Sequence, residues 1–529
     1  MQTLLNRKLE LLLVFGIGFF LCAANIWGYP ITILDEAKNA EAAREMFMRQ
    51  SFLPTFNDIL RTDKPPLHYF FMQLGYALFG VNEWGARFFG ALFGAGFITY
   101  FYVFLRRHIF LNVARLSLMI LLSSFFWIQE FHLAVPDPYL LTFLGTGWLL
   151  FFEFYKSDKS INLWLFYICI GLATLSKGPV AIGLTGLNVL LFLLIQGKLN
   201  VSEILKFKPF HGAAIVLLIA APWFIWVHYA TDGAFTQGFF IKHNLQRFNN
   251  EMEGHGGIFL ITWLFVLLGL FPFGAFIPQG LWHGYKFYKR SDLIAYSLVI
   301  SVVVIGFFSI SGTKLPNYTL PAMPFLAILV GGYLEETMIY KTGKSWQNTV
   351  SLSLISLMSL ALPVAVYVLF DHPLLSNPQV YIAVPFMLII LASLGYIWVH
   401  YLKKNDFRWI YSIAVLWVVI SLTIFFFIYP NLSKITPVIQ AENYIKDKEV
   451  MVYQNYDPAF NFNYHRTFPV INTKEELIVY LNKHPETLVL TKNKVIKDEM
   501  LFQTEFQTIF RQPSVFENYD TVILKYIED

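Results

Sequence analysis

The chain has 529 residues, of which 56% are hydrophobic, 18% aromatic and only 14% charged, with a formal net charge of +4. A soluble protein carries about 25% charged residues, so this composition excludes a soluble cytosolic enzyme, and a mean hydropathy of +0.53 indicates a many-helix membrane protein. The net charge is too small to indicate a nucleic-acid partner, and Cys22 and Cys169, both inside apolar runs, form neither a disulfide framework nor a zinc-type spacing.

A helix crossing hydrocarbon needs about 20 apolar residues. Apolar stretches between polar or Pro/Gly punctuation give about thirteen candidates: 9–28, 84–105, 109–129, 138–155, 161–176, 179–196, 211–229, 258–280, 291–311, 316–336, 347–370, 378–402 and 408–429. The first has a span's length and no small-residue cleavage site, so it reads as a retained helix. Lys and Arg recur in every second short loop: Arg7/Lys8, Arg106/Arg107, Lys156/Lys159, Lys198/Lys206/Lys208, Lys286/Lys289/Arg290, Lys341/Lys344 and Lys403/Lys404/Arg408. Positive loops face the cytoplasm, which predicts a cytoplasmic N-terminus in a plasma or inner membrane and, with an odd count, an extracytoplasmic C-terminus.

Two long segments, 29–83 and 231–257, then fall on the far side, and residues 1–430 form the membrane part. The tail, 431–529, has strand-like pieces at 449–454, 487–491 and 520–526 and a helical piece at 474–483, the pattern of a small extracytoplasmic α/β domain.

The far side collects the charges that topology does not use. The run Leu34-Asp35-Glu36-Ala37-Lys38-Asn39-Ala40-Glu41 is rich in helix formers and predicts an amphipathic helix at the membrane surface. Asp35 capping that helix, with Glu36 near its positive end, is the structural alternative to a functional role. Arg61-Thr62-Asp63-Lys64-Pro65-Pro66-Leu67 places a cation where a second surface helix begins; a solvated loop charge is the alternative. Asp137 lies between prolines at the mouth of the fourth span, and Lys177 and Lys314 sit in tight turns, where either could simply snorkel. Lys242-His243-Asn244-Leu245-Gln246-Arg247-Phe248 and His255 complete the set. Ionisable groups at such depth are candidate functional groups. Their Lys and Arg suit a phosphate or diphosphate, and the carboxylates beside them suit proton removal from an acceptor.

The order Asp-Glu-Ala, Lys-Pro-Pro-Leu, Asp between prolines, Ser-Lys-Gly-Pro, Pro222-Trp223, His-Asn-x-x-Arg-Phe and Lys-Leu-Pro-Asn-Tyr-x-Leu-Pro resembles the GT-C membrane glycosyltransferases. The likeness is strongest to the bacterial branch of the lipid A aminoarabinose transferase and to relatives of the protein O-mannosyltransferases, over about residues 5–430. The resemblance implies transfer of a sugar from a polyprenyl-phosphate donor to a lipid A-like, glycan or protein acceptor at the outer face of the membrane. It implies Asp35 as the catalytic carboxylate and donor-phosphate contacts from Lys64, Arg247 and Tyr318; from their place on the same face, Glu36 is a second catalytic candidate, Lys314 a further phosphate contact, and Lys38, Asp137, Lys177 and Asn244 candidate substrate contacts. No cofactor is required; a divalent metal (Zn, Mg or Mn) held by Asp63 with His243 or His255 is the candidate exception, and a monomer is expected. The chain departs from the pattern at Lys38, where Arg is frequent, at Asp63, where Glu is expected, and at Gly256-Gly257, where Pro and an aromatic residue are expected. A transporter or flippase of a lipid-linked or anionic substrate, and a receptor using the tail as a sensor, are the competing classes.

Overall fold

The computed structural model describes residues 2–247, 257–370, 380–403, 406–496, 505–515 and 517–527. Helices occupy each of the predicted spans. Among the described residues, eight are long and apolar enough, by length and composition, to cross a membrane, and a ninth candidate is a bent pair.

Two predicted spans are not straight helices. Residues 258–280 fold as Phe259–Gly269 followed by Phe273–Phe287, with a bend of 117°. Pro272 sits in the break, where its missing N–H ends the helix. Residues 109–129 divide at Ser124 into α5 (Leu111–Ser123) and α6 (Phe125–Glu130). The Ser124 hydroxyl donates to the Ile120 carbonyl at 2.6 Å and the Leu270 carbonyl at 3.2 Å, a local competition with the helical ladder.

The remaining helices of the first half are α1 (Gln2–Cys22), α2 (Leu34–Arg49), α3 (Leu67–Phe79), α4 (Glu83–His108), α7 (Asp137–Ser157), α8 (Ser160–Lys177), α9 (Val180–Ile195), α10 (Val201–Lys206) and α11 (Pro209–Ala230). The predicted surface helices are α2 and α3. The Tyr76 hydroxyl of α3 donates to the Ala40 carbonyl of α2 at 3.0 Å. Gly75 lets α3 lie against α4, since a Cβ there would fall 2.0 Å from the Gly85 carbonyl oxygen. At the other end of the bundle the basic loops are tied to acidic partners: Arg106 to Glu10, Arg107 to Glu153 at 3.3 Å and Lys156 to Asp292 at 2.8 Å.

The tail forms a five-stranded sheet in the order β4-β3-β5-β7-β6, where β3 is Val450–Tyr453, β4 Val470–Ile471, β5 Leu488–Lys492, β6 Phe506–Pro513 and β7 Asp520–Tyr526. The hairpin β1 (Thr55–Phe56) and β2 (Ile59–Leu60) of the first long loop precedes them. β3 pairs in parallel with β4 and β5, whereas β7 pairs antiparallel with β5 and β6. The tail is fastened to the first long loop through Asn57, in the left-handed conformation Asn tolerates. Its amide donates to the Phe468 carbonyl at 2.8 Å and accepts from the Phe468 N–H at 2.7 Å. Asn463 adds a bond to the Ile31 carbonyl at 2.8 Å.

Candidate functional site

A cavity of about 590 Å³ opens between α2, the start of α3, α8, α9, a π-helical segment Gln237–Gln246 and the turn Pro316–Ala322. Asp35, Lys38, Asp63, Lys64, Lys177, His243, Asn244, Arg247 and Tyr318 all line it. Chain segments more than 200 residues apart in sequence thus bring most of the predicted set into one space.

Asp35 gathers the cations of this space. One carboxylate oxygen lies 3.6 Å from the Lys64 ammonium and the other 3.4 Å from the Arg61 guanidinium. The side chain is 48% exposed, to the cavity. It does not cap α2: the N-cap position is Ile33, and no side chain caps that terminus. Burial pushes the Asp35 carboxyl up, but Lys64, Arg61, Lys177 and Lys38 outweigh it and hold the group well below the usual carboxylate range. Asp63 follows the same pattern, with burial opposed by Arg61, His243 and Lys64.

Arg61 straddles both carboxylates, 3.4 Å from Asp35 and 3.6 Å from Asp63, and donates to Asn39 at 3.1 Å. It carries no assignment in the sequence reading, although it lies three residues before Lys64; being 5% exposed, it is a fixed counter-charge rather than a solvated one. Lys64 is pulled below the ordinary lysine value by burial and by the neighbouring cations Lys177, Arg247 and Arg61, with Asp35 opposing them. An entering phosphate would relieve that crowding.

Lys177 forms an ion pair with the buried Asp137, and its ammonium sits 5.2 Å from the centre of the Tyr318 ring. Asp137 therefore acts on the cavity through Lys177. Gly178, which follows, has φ +84°, and a Cβ there would meet the Phe239 ring at 2.6 Å; the Ser-Lys-Gly-Pro turn needs glycine for both reasons. The Asn244 amide donates to the Phe239 carbonyl at 2.7 Å and so braces the π-helical segment.

Two expected site residues point elsewhere. Glu36 is fully buried and forms a two-bond ion pair with Arg87, at 2.7 and 3.0 Å, while accepting the Ala134 N–H at 2.9 Å. Its carboxylate is turned into the packing between helices and does not line the cavity. Lys314 donates to the Ser311 carbonyl at 2.7 Å, where it offsets the negative end of the helix Asp292–Ile310; it does not line the cavity.

Asp63 and His243 are 3.1 Å apart. Burial, with Lys242 and Arg247, lowers the imidazole's pKa against the pull of Asp63. Among the described residues no group of three or more His, Cys, Asp or Glu gathers, and His255 lies outside the described residues. A catalytic zinc site takes three protein ligands, one more than this pair supplies.

Residues 63–226 match a family model described as dolichyl-phosphate-mannose-protein mannosyltransferase. A solved structure, ArnT from Cupriavidus metallidurans bound to undecaprenyl phosphate, superimposes with a TM-score of 0.76 over 98% of both chains at 20% identity. The fold is that of the GT-C membrane glycosyltransferases. By sequence the chain is 32% identical to a protein of Aquifex aeolicus (strain VF5) over 312 residues, 58% of this chain and 60% of that one. It is 28% identical over 339 residues to the undecaprenyl phosphate-alpha-4-amino-4-deoxy-L-arabinose arabinosyl transferase of Shewanella sediminis (strain HAW-EB3), 63% of this chain and 61% of the relative. These two matches span about three fifths of the relatives' length. In this chain of GT-C fold the cavity is built from α2, the Lys-Pro-Pro start of α3 and the loop after α11, the segments the motifs singled out.

Proposed function

We propose that the chain is a glycosyltransferase that moves a sugar from a polyprenyl-phosphate donor to an acceptor at the extracytoplasmic face. The observation that carries this reading is one stripe of α9. Val180, Gly183 and Leu184 line the charged cavity, and Leu187, Leu190, Leu191 and Leu194 continue along the helix into an apolar groove of about 440 Å³. Spacings of three and four put them on one helical face. Val302, Val303, Gly306, Phe307 and Ile310 form the opposite wall, and Phe307 belongs to both spaces. A charged head site opening onto an uncharged, lipid-facing groove suits a phosphate attached to a long prenyl chain, and suits a free anion or nucleotide sugar far less.

In this reading the acceptor oxygen attacks the anomeric carbon, the bond from that carbon to the phosphate oxygen breaks, and the configuration inverts. Lys64 and Arg247 face the negative charge that develops on the departing phosphate. Asp35 accepts a hydrogen bond from the acceptor hydroxyl and orients it. Because its cationic neighbours depress its basicity, the departing phosphate, with a second pKa of about 6, is the stronger final base for the proton. No step needs a metal; a cation held by Asp63 and His243 would act on the donor phosphate. Orientation follows the basic loops: the N-terminus lies in the cytoplasm, and the cavity and tail lie outside.

Sugar transfer from purified undecaprenyl-phosphate-linked sugar, assayed in detergent, tests the proposal. Lys64→Ala should lower kcat/KM by about 100-fold, while detergent-solubilised wild-type protein without any transfer would support the transporter reading instead. The groove has its own test. A Cβ at Gly306 would meet nothing within 4 Å, so Gly306→Leu should fold normally. It should raise KM for a long-chain donor by about tenfold and leave a ten-carbon donor unaffected; equal effects on both donors would remove the groove from tail binding.

A further inference from the structure

Most charges around the cavity are committed to one another: Asp35 to Lys64 and Arg61, Asp63 to Arg61 and His243, Lys177 to Asp137. Lys38 and Glu517 line the same cavity, and among the described residues neither has an ion-pair partner within 4.0 Å. They come from different parts of the molecule, Lys38 from α2 and Glu517 from the connection between β6 and β7 of the tail. Glu517 is the tail's one contribution to the lining among the described residues.

That connection is braced. The Ser514 N–H donates to the Tyr519 carbonyl at 2.9 Å, and the Asp520 N–H donates to Asn493 at 2.9 Å. Arg511 pairs with Asp520 at 2.6 Å, and the Lys492 ammonium lies 3.8 Å from the centre of the Tyr519 ring. A half-buried carboxylate held over a cavity by such bracing, with the Lys492 ammonium acting on it only from beyond ion-pair distance, keeps lone-pair sites open to donors from a ligand. The Lys38 ammonium on the opposing helix, which acts on Asp35 and Asp63 only from beyond ion-pair distance, offers the complementary charge.

We propose that Glu517 and Lys38 form an acceptor-reading subsite, Lys38 taking a phosphate and Glu517 the neighbouring hydroxyls of a sugar-phosphate headgroup. The inference rests on the glycosyltransferase reading and assigns the tail a part in acceptor choice. A sugar ring supplies several O–H donors and no charge, which matches an acceptor-only carboxylate; the phosphate beside it matches the Lys38 ammonium.

The test is equilibrium binding of the full chain in detergent to lipid A and to dephosphorylated lipid A, with undecaprenyl phosphate as control. Glu517→Ala should weaken both glycolipids about tenfold and leave undecaprenyl phosphate binding unchanged. Lys38→Ala should weaken only the phosphorylated form. Unchanged glycolipid affinity in Glu517→Ala, an equal loss for undecaprenyl phosphate, or a wild-type chain that binds neither glycolipid would each overturn the subsite. Sugar transfer by the same preparations judges the glycosyltransferase reading separately, so the two can fail independently.

Discussion

Replacing Asp35 by Asn is expected to lower sugar transfer by about 100- to 1,000-fold, the range seen when a positioned catalytic or charge-stabilising group is removed. The change keeps the shape of the side chain and removes its charge. Wild-type Asp35 balances Lys64 and Arg61 at 3.6 and 3.4 Å; a neutral amide in its place would leave Asp63 as the carboxylate facing both, with Lys177 and Arg247 still crowding Lys64. An incoming donor phosphate would then be held at least as tightly, so KM for the donor should stay level or fall while kcat collapses. That split separates orientation of the acceptor from donor binding. The fold should survive, because Asp35 neither caps α2 nor packs in the core. The pH dependence follows from the direction of its shift. A carboxyl depressed below its ordinary value of about 4 stays ionised as the pH falls, and its charge is lost only below that value. Between pH 5 and 9 the wild-type rate should therefore carry no limb from Asp35. Turnover within threefold of wild type in Asp35→Asn would place the chemistry elsewhere.

Scarcity made much of the site legible. In a chain with 14% charged residues, an Asp or Lys beside a span stands out, and Asp35, Lys64, Lys177, His243 and Arg247 could be collected by side of the membrane before any contact was known. What the linear order could not supply was pairing. Asp137 and Lys177 both fell on the predicted far side, but that one neutralises the other needs α7 and α8 in three dimensions. Glu36 and Lys314 carried the same residue-type signal as their neighbours, and only side-chain direction separates them from the cavity. Arg87 did carry a readable signal, a cation just inside a predicted span, where an ionisable group needs a partner. Glu517 carried none: it is one acid in a polar tail, placed by the register of β6 on β7. The breaks at Ser124 and Pro272 mark the limit of counting apolar residues, since hydropathy does not register a serine back-bond or a missing N–H.

The largest expected effect on stability is at Arg87. Its guanidinium makes two bonds to Glu36 and donates to the carbonyls of Ile26 and Tyr29 at 2.8 and 3.0 Å, with the Tyr29 ring centre 4.4 Å away. One side chain thus ties the connection between α1 and α2, the start of α2 and α4, and through Glu36 the link before α7. Arg87→Met removes the cation and leaves a fully buried carboxylate with the Ala134 N–H alone, a loss of about 3–5 kcal/mol for a broken buried pair. Thermal unfolding in detergent should show a large drop in midpoint. Arg87→Lys should recover little, because one ammonium cannot reproduce a planar fork that serves three acceptor groups. The double variant Glu36→Gln/Arg87→Met should recover much of the loss, because the stranded charge is gone. Activity should track this stability, since Glu36 is bonded next to Asp35 and fixes where α2 begins. A single Arg87→Met variant that melts like wild type would mean that Glu36 takes up a proton or reaches solvent, and that the start of α2 is held by its apolar packing instead.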